Sequence, residues 1–102
     1  MANLILSVDP EYMQDPKLDL LDKLIMSYVT TWEQKRHMCY AKDGLFTQIF
    51  GEPQEKVLFS LAKLEALHLL LIIRGNGGRI LQTTKSIKED IKEDIDVFGD
   101  LY

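Results

Sequence analysis

Two arginines stand on either side of a short glycine-rich run in the second half of the chain. Arg74 and Arg79 bracket the run Gly75-Asn76-Gly77-Gly78. A guanidinium group can pair with two acceptors of a guanine or enter a narrow minor groove, and exposed backbone N–H groups can donate to phosphates. Asn and Gly adopt positive φ at little cost, so the run is typical of a hairpin turn. The pattern indicates either a DNA-contacting hairpin or an ordinary exposed turn.

A second group of candidate DNA contacts lies in the helical segment before this hairpin. The positions predicted to face outward are Gln54, Lys56, Ser60 and Lys63. Glutamine can read adenine, and lysine can contact a phosphate. The same segment begins with Glu52 and Glu55, which would approach phosphates with like charge. We therefore expect this helix to contribute less to DNA binding than the hairpin.

Further basic candidates lie in predicted loops and at the ends of predicted elements. These are Lys35, Arg36, Lys42 and Lys85. Each can contact a phosphate backbone, and each is equally compatible with an ordinary solvated position. Phe59 is also predicted to face outward, as a packing or interface residue.

The charge distribution favours a localised DNA-binding face. The net charge is −4, which alone argues against nucleic acid. However, residues 1–34 carry −4, residues 35–88 carry +5 and residues 89–102 carry −5. A positive middle between acidic ends is the asymmetry expected of such a binder.

Catalytic, cofactor and metal functions find little support. The glycine-rich run is not a P-loop, because no Gly-Lys-Ser/Thr sequence or helix follows it. His37, Cys39 and His68 are too few for a typical zinc site, which takes four ligands. We expect no enzyme activity, no cofactor and no metal, and we interpret Cys39 as a small buried hydrophobic residue.

The periodicity of the apolar residues predicts an α+β fold. A first helix is expected from residue 17, with Asp15 as its cap and Pro16 at its first position. The second is expected over residues 43–50 and ends at Gly51. The third is expected to have Pro53 in its first turn and to reach residue 67 or 68. Residues 69–74 and 79–83 have strand character, so they predict a two-stranded hairpin. The inward positions predicted on the second and third helices are Leu45, Phe46, Ile49, Val57, Leu58, Leu61, Leu64 and Leu67.

The two ends of the chain carry weaker signals. Residues 4–8 have the composition of a short strand, and a C-terminal helix is expected over about residues 85–97. Its stripe of Ile87, Ile91 and Ile95 must be buried on its own domain or on another copy, so we expect a homodimer. We expect residues 1–102 to form one domain without a membrane segment or a signal peptide, located in the cytoplasm.

Residues 17–84 resemble the winged helix-turn-helix superfamily. The resemblance is carried by Cys39-Tyr40-Ala41, Leu45, Ile49-Phe50-Gly51, Val57, Leu61, Leu64-Glu65, Leu67 and the hairpin of residues 72–80. Within the superfamily, the chain is similar to origin-of-transfer-binding accessory proteins of conjugative plasmids in Gram-positive bacteria, the TcpK type. The resemblance implies a two-stranded β-wing, an extra C-terminal helix and sequence-specific binding to double-stranded DNA.

The chain departs from the usual winged-helix pattern at two places. Glu52 and Glu55 replace the basic or amide residues that usually begin the DNA-reading helix, and His68 stands where glycine is common before the hairpin. Two other functions therefore stay open, a transcriptional regulator and a winged helix that contacts only proteins. Conjugation or replication proteins are further partners that the resemblance implies.

Overall fold

The computed structural model describes residues 6–75 and 77–85, which form an α+β arrangement with an antiparallel hairpin. In this part of the chain the elements are α1 (Pro10–Met13), α2 (Leu20–Gln34), α3 (Asp43–Phe50), α4 (Gln54–Ala66), β1 (Leu70–Gly75) and β2 (Gly78–Thr83). The predicted α+β class is confirmed, and the layout is compatible with a winged-helix-like domain. Lying outside the described residues are Asn76, Ile87, Ile91, Ile95 and nearly all of the predicted C-terminal helix.

The first long helix begins later than the sequence predicts. Asp15 does not cap it, because its carboxylate accepts a hydrogen bond from the backbone N–H of Lys17 at 2.9 Å in a separate turn. Asp19 is the N-cap of α2, and its own backbone N–H donates to the Asp22 carboxylate at 2.9 Å. The helix start predicted at Asp15 and Pro16 is therefore wrong by one turn, since a second Asp three residues before Asp22 completes a better cap.

The turn between α3 and α4 forms as predicted. Gly51 ends α3 with φ of +68°, a left-handed conformation that glycine adopts at little steric cost. Pro53 is the N-cap of α4 rather than a residue of its first turn. Along α4 the buried positions include Val57, Leu61 and Leu64. Leu58 is exposed, and so is Leu45 on α3, so the inward placement predicted for these two leucines is wrong.

The predicted hairpin forms, with each strand reaching one residue further into the glycine run than the sequence predicts. Gly75 pairs with Gly78, which leaves two positions for the turn, and Leu70 pairs with Thr83 at the other end. Cys39 forms one antiparallel bridge to Leu81, whose backbone N–H donates to the Cys39 carbonyl at 2.9 Å. The described part of the predicted N-terminal strand, residues 6–8, is not a strand.

The hydrophobic core lies between the helices and one face of the hairpin. Ile25 and Val29 on α2, Phe46 on α3, Leu64 on α4 and Leu81 on β2 are fully buried. Leu70 and Ile72 alternate with exposed residues along β1, so one face of the hairpin covers the helices and the other faces outward. Within the described part of the chain, no helix is long and apolar enough to cross a bilayer.

Candidate nucleic-acid interface

Arg79 does not extend freely from the hairpin. Its guanidinium lies 2.6 Å from an Asp43 carboxylate oxygen, and its Nε donates to the Ala41 carbonyl at 3.1 Å. Only 18% of its side chain is exposed. Arg79 therefore does not lie exposed at the tip of the hairpin as the sequence predicts, because an acid at the first position of α3 holds it against the body of the domain. Its contacts fasten β2 to the start of α3.

Arg74 is the exposed arginine of the pair. It lies directly across from Arg79 in the hairpin, and 68% of its side chain is exposed. Its guanidinium nitrogen is 3.4 Å from a Glu65 carboxylate oxygen, and that glutamate is itself 40% exposed. An exposed ion pair of this kind contributes only about 0–1 kcal/mol, so a phosphate can replace Glu65 at small cost.

The glycines of the turn leave the backbone open to a ligand. Gly75, Gly77 and Gly78 are exposed, and no heavy atom of a described residue outside the immediate chain neighbours lies within 4 Å of where a Cβ would stand on any of them. Gly78 has φ of +145°, a conformation that side chains make costly. A ligand such as a phosphate can therefore approach the turn backbone closely.

Tyr40 and Lys42 extend this surface toward α3. Tyr40 is 63% exposed and, with Ile73 and the turn glycines, lines a shallow groove of about 350 Å³. On its other side it lines a second groove, which includes Lys42 immediately before α3. Arg74, the three described turn glycines, Tyr40 and Lys42 therefore form one continuous exposed surface, which we name the wing face.

Lys63 faces inward, contrary to the outward position predicted for it. Its ammonium donates to an Asp22 carboxylate oxygen at 2.8 Å and lies 3.6 Å from Asp19. The Ser60 hydroxyl donates to the second Asp22 oxygen at 2.5 Å, and Ser60 is 4% exposed, so its predicted outward position is also wrong. A contact between Lys63 and DNA would be costly, because it would leave the buried Asp22 carboxylate without its cation.

The charge of Asp22 is stabilised by this cluster. Burial raises the pKa of the Asp22 carboxyl, but the hydrogen bonds from Lys63, Ser60 and the Asp19 backbone outweigh it, so the pKa is lowered overall. The hydrogen bond to Asp22 in turn raises the pKa of Lys63. Our sequence interpretation missed this cluster, although Asp22 stands three and seven residues before the buried Ile25 and Val29, on the same helix face.

Lys85 is paired at the opposite end of the hairpin from the turn. Its ammonium donates to Asp9 at 2.9 Å and lies 3.3 Å from Glu11. The hydrogen bond to Asp9 raises the pKa of Lys85, and the same bond lowers the pKa of Asp9. Lys85 therefore joins the end of β2 to α1 and lies apart from the wing face.

Lys35 and Arg36 are exposed but lie away from the turn as well. The segment around Cys39 runs antiparallel to β2, so Ala41 lies beside Arg79, whereas Glu33 accepts hydrogen bonds from Thr83. A strand advances about 3.3 Å per residue, so these two ends of β2 are about 13 Å apart. Lys35 lies over the Trp32 ring, 5.8 Å from its centroid, and that ring lines the same groove as Tyr40 and Lys42.

The outward side of α4 is apolar and acidic. Phe59 is 70% exposed and Leu58 46% exposed, and Ala62 is exposed beside them. Gln54 and Lys56 are exposed near its start, where Lys56 lies 3.4 Å from Glu52. The predicted exposure of Gln54, Lys56 and Phe59 is confirmed, but the surface around them offers little positive charge.

No family model matches the chain, and neither the curated proteins nor the solved structures contain a match. Among the described residues, no group of three or more His, Cys, Asp or Glu side chains is placed to hold a metal ion. Burial raises the pKa of Cys39, which disfavours its thiolate, the form that binds metals. The predicted burial of Cys39 is confirmed, at 1% exposure.

Proposed function

We propose that the protein binds double-stranded DNA as a winged helix-turn-helix domain, with the wing face as its main contact. The observation that supports this most is the exposure of Arg74 beside an open glycine turn, on one surface with Tyr40 and Lys42. Two cations and an aromatic hydroxyl are groups that contact phosphates and sugars, and the open turn allows the DNA backbone to approach closely.

Arg79 has a positioning role in this proposal. Its contacts with Asp43 and the Ala41 carbonyl fix the hairpin relative to the start of α3. Arg74 and Lys42, on the two elements joined in this way, then keep a constant separation. A fixed separation between two cations allows both to engage one DNA backbone without ordering either element on binding.

The same proposal keeps α4 away from close contact with phosphates. Glu52 and Glu55 lie at its start, and Lys63 neutralises Asp22 rather than facing outward. At physiological salt the Debye length is about 8 Å, so these carboxylates repel phosphates only at short range. DNA held by the wing face therefore tolerates α4 nearby but gains little from it.

The binding test is fluorescence anisotropy with labelled random duplex DNA over a range of salt concentrations. We expect Arg74→Ala and Lys42→Ala each to weaken binding and to reduce the salt slope by about 0.9, the value for one lost phosphate contact. Lys56→Ala on α4 is the matched control and should bind like wild type. The proposal would be overturned if the wild-type protein did not bind duplex DNA. It would also be overturned if Lys56→Ala lost binding while Arg74→Ala and Lys42→Ala bound like wild type.

We further propose that binding is sequence-specific and that the DNA site is an origin of transfer in plasmid conjugation, where other conjugation or replication proteins assemble. This step is supported by the resemblance of residues 17–84. A transcriptional regulator is the alternative within DNA binding. Competition between labelled origin-of-transfer fragments and promoter fragments separates the two, since each mismatched base pair typically costs about 1–3 kcal/mol.

A winged helix that contacts only proteins is the second candidate function. It is favoured by the exposed Leu58 and Phe59 on the helix that reads DNA in most winged helices. In that case random and specific duplexes would both fail to bind at low salt.

A further inference from the structure

One end of α2 borders an apolar groove with an acidic rim. Leu20 and Phe59, 68% and 70% exposed, line this groove of about 460 Å³ between the starts of α2 and α4. Asp19, Glu52 and Glu55 also line it, and the side chain of Asp19 is 83% exposed. Among the described lining residues Lys56 is the single cation, and Glu52 already pairs with it. We name this surface the acidic groove.

The other end of α2 carries the opposite charge beside its own apolar side chain. Lys35, Arg36 and His37 are exposed there, immediately before Met38, which is 53% exposed. We name these four residues the basic corner. Because α2 has 15 residues and a helix rises about 1.5 Å per residue, the two surfaces are separated by about 22 Å. They therefore cannot meet within one chain.

We propose that the acidic groove of one copy receives the basic corner of a second copy, so that chains associate head to tail. A thioether packs well against an aromatic ring, so Met38 is suited to the space between Leu20 and Phe59. Lys35 and Arg36 then face the acidic rim.

A second copy fits better than an unrelated protein because the complementary surface is already on the chain. The apolar centres of the two surfaces match, since the thioether of Met38 can pack against the ring of Phe59. Their rims match as well, since the cations of the basic corner face the acids of the groove. The contact is heterologous, since each copy uses a different surface on its two sides, and such contacts extend into open rows unless the rotation closes a ring. It is also distinct from a symmetric dimer through Ile87, Ile91 and Ile95.

This association places the second copy next to the wing face. Met38 accepts a hydrogen bond from the Tyr40 hydroxyl at 3.3 Å and lines the same groove as Tyr40 and Lys42. Neighbouring copies on DNA would point in one direction, because the contact joins two different surfaces. The association itself needs no DNA, so its failure and the failure of DNA binding are separate results.

The test measures the mass of the full chain by light scattering or sedimentation without DNA. For wild type we expect a mass that rises with concentration beyond that of two 11.8 kDa chains, because head-to-tail contacts do not stop at a dimer, and that falls at high salt. Glu52→Lys/Glu55→Lys and Lys35→Glu/Arg36→Glu should each abolish this growth. Mixing the two variants should restore it, because every contact between them pairs opposite charges.

Two variants that leave the charge unchanged complete the test. Phe59→Ser should abolish association, whereas Leu58→Ser, the neighbouring exposed residue outside the groove, should leave it intact. Circular dichroism checks the fold of every variant. If Glu52→Lys/Glu55→Lys is misfolded, Glu55→Gln is used in its place. Wild type whose mass never exceeds that of two chains overturns the proposal. So does growth beyond two chains in either charge variant, or a mixture of the two that does not grow.

Discussion

The wing face and the outward side of α4 differ in charge, although a DNA-binding domain of the proposed type commonly uses both. The wing face has an exposed arginine and lysine around bare backbone. The outward side of α4 has exposed apolar side chains with Glu52 and Glu55 at its start. Basic residues that are near each other in sequence therefore do not form one basic surface in this fold. Partners inside the fold decide which of them remain available.

Lys63 shows how this difference arises. On sequence it belongs to the same basic segment as Lys56, but the fold turns it toward the carboxylate of Asp22. Asp22 is 1% exposed and also accepts from Ser60. A buried carboxylate without a partner is strongly unfavourable, so the cluster fixes the rotation of α4 and with it the outward position of Phe59.

The largest expected effect is therefore on stability. Asp22→Ala should lower the free energy of unfolding by about 3 kcal/mol, the upper end of the range for a hydrogen bond to a charged group, because the bonds from Ser60, Lys63 and the Asp19 backbone are lost together. Chemical denaturation followed by circular dichroism measures the change. Glu65→Ala, which removes an exposed partner of Arg74, is the control and should change stability by less than about 0.5 kcal/mol. Equal effects of the two substitutions would show that the cluster does not fix α4.

The same cluster predicts how stability depends on pH. The pKa of Asp22 is lowered in the folded chain, whereas an unfolded Asp has a pKa of about 3.9. Its contribution to stability is therefore fully present above about pH 5 and decreases as the pH falls through the folded-state pKa. Denaturation midpoints measured across the acid range should fall for wild type and fall less steeply for Asp22→Asn. If the denaturation midpoints of wild type and Asp22→Asn fell in parallel with pH, Asp22 would not be the source of the pH dependence.

Most of the fold could be predicted because it depends on local signals. Gly51 ends α3 and the glycine run closes the hairpin at the predicted positions, since both places need conformations that glycine adopts cheaply. The start of α2 could not be fixed in this way. Asp15 and Asp19 are both good caps by residue type, and the backbone hydrogen bond to Asp22 is what selects Asp19.

The candidate site was less predictable because it depends on contacts between distant segments. Arg79 and Asp43 are far apart in sequence, and no local pattern indicates that they pair. The same is true of Lys85 and Asp9. Arg74 could be predicted as an exposed cation because it stands next to the turn, whereas the role of Arg79 follows only from the packing of β2 against the start of α3.

We expect an intermediate effect on stability when Arg79 is replaced. This variant distinguishes a residue that positions the hairpin from one that contacts DNA. Arg79→Met removes the partner of a largely buried Asp43 carboxylate, so it should lower the free energy of unfolding by about 1–3 kcal/mol. Because the hairpin is then less firmly held, DNA affinity should fall as well. Arg74→Ala should reduce affinity without a comparable loss of stability. Denaturation and anisotropy on both variants provide the comparison, and a fully stable Arg79→Met chain would argue against the positioning role.

The smallest expected effect concerns Glu55, and it tests the difference between the wing face and α4 most directly. If the wing face holds the DNA, the Glu55 carboxylate lies beyond close range of phosphates, and salt screens what repulsion remains. Glu55→Gln should then leave DNA affinity unchanged within about a factor of two, which corresponds to about 0.4 kcal/mol of binding free energy. Gln54→Ala, its neighbour on α4, should behave in the same way. A marked gain in affinity for Glu55→Gln together with a marked loss for Gln54→Ala would place α4 in the groove, because only a helix close to DNA responds to both. In that case the protein reads DNA in the usual winged-helix manner, and the wing face is a secondary contact.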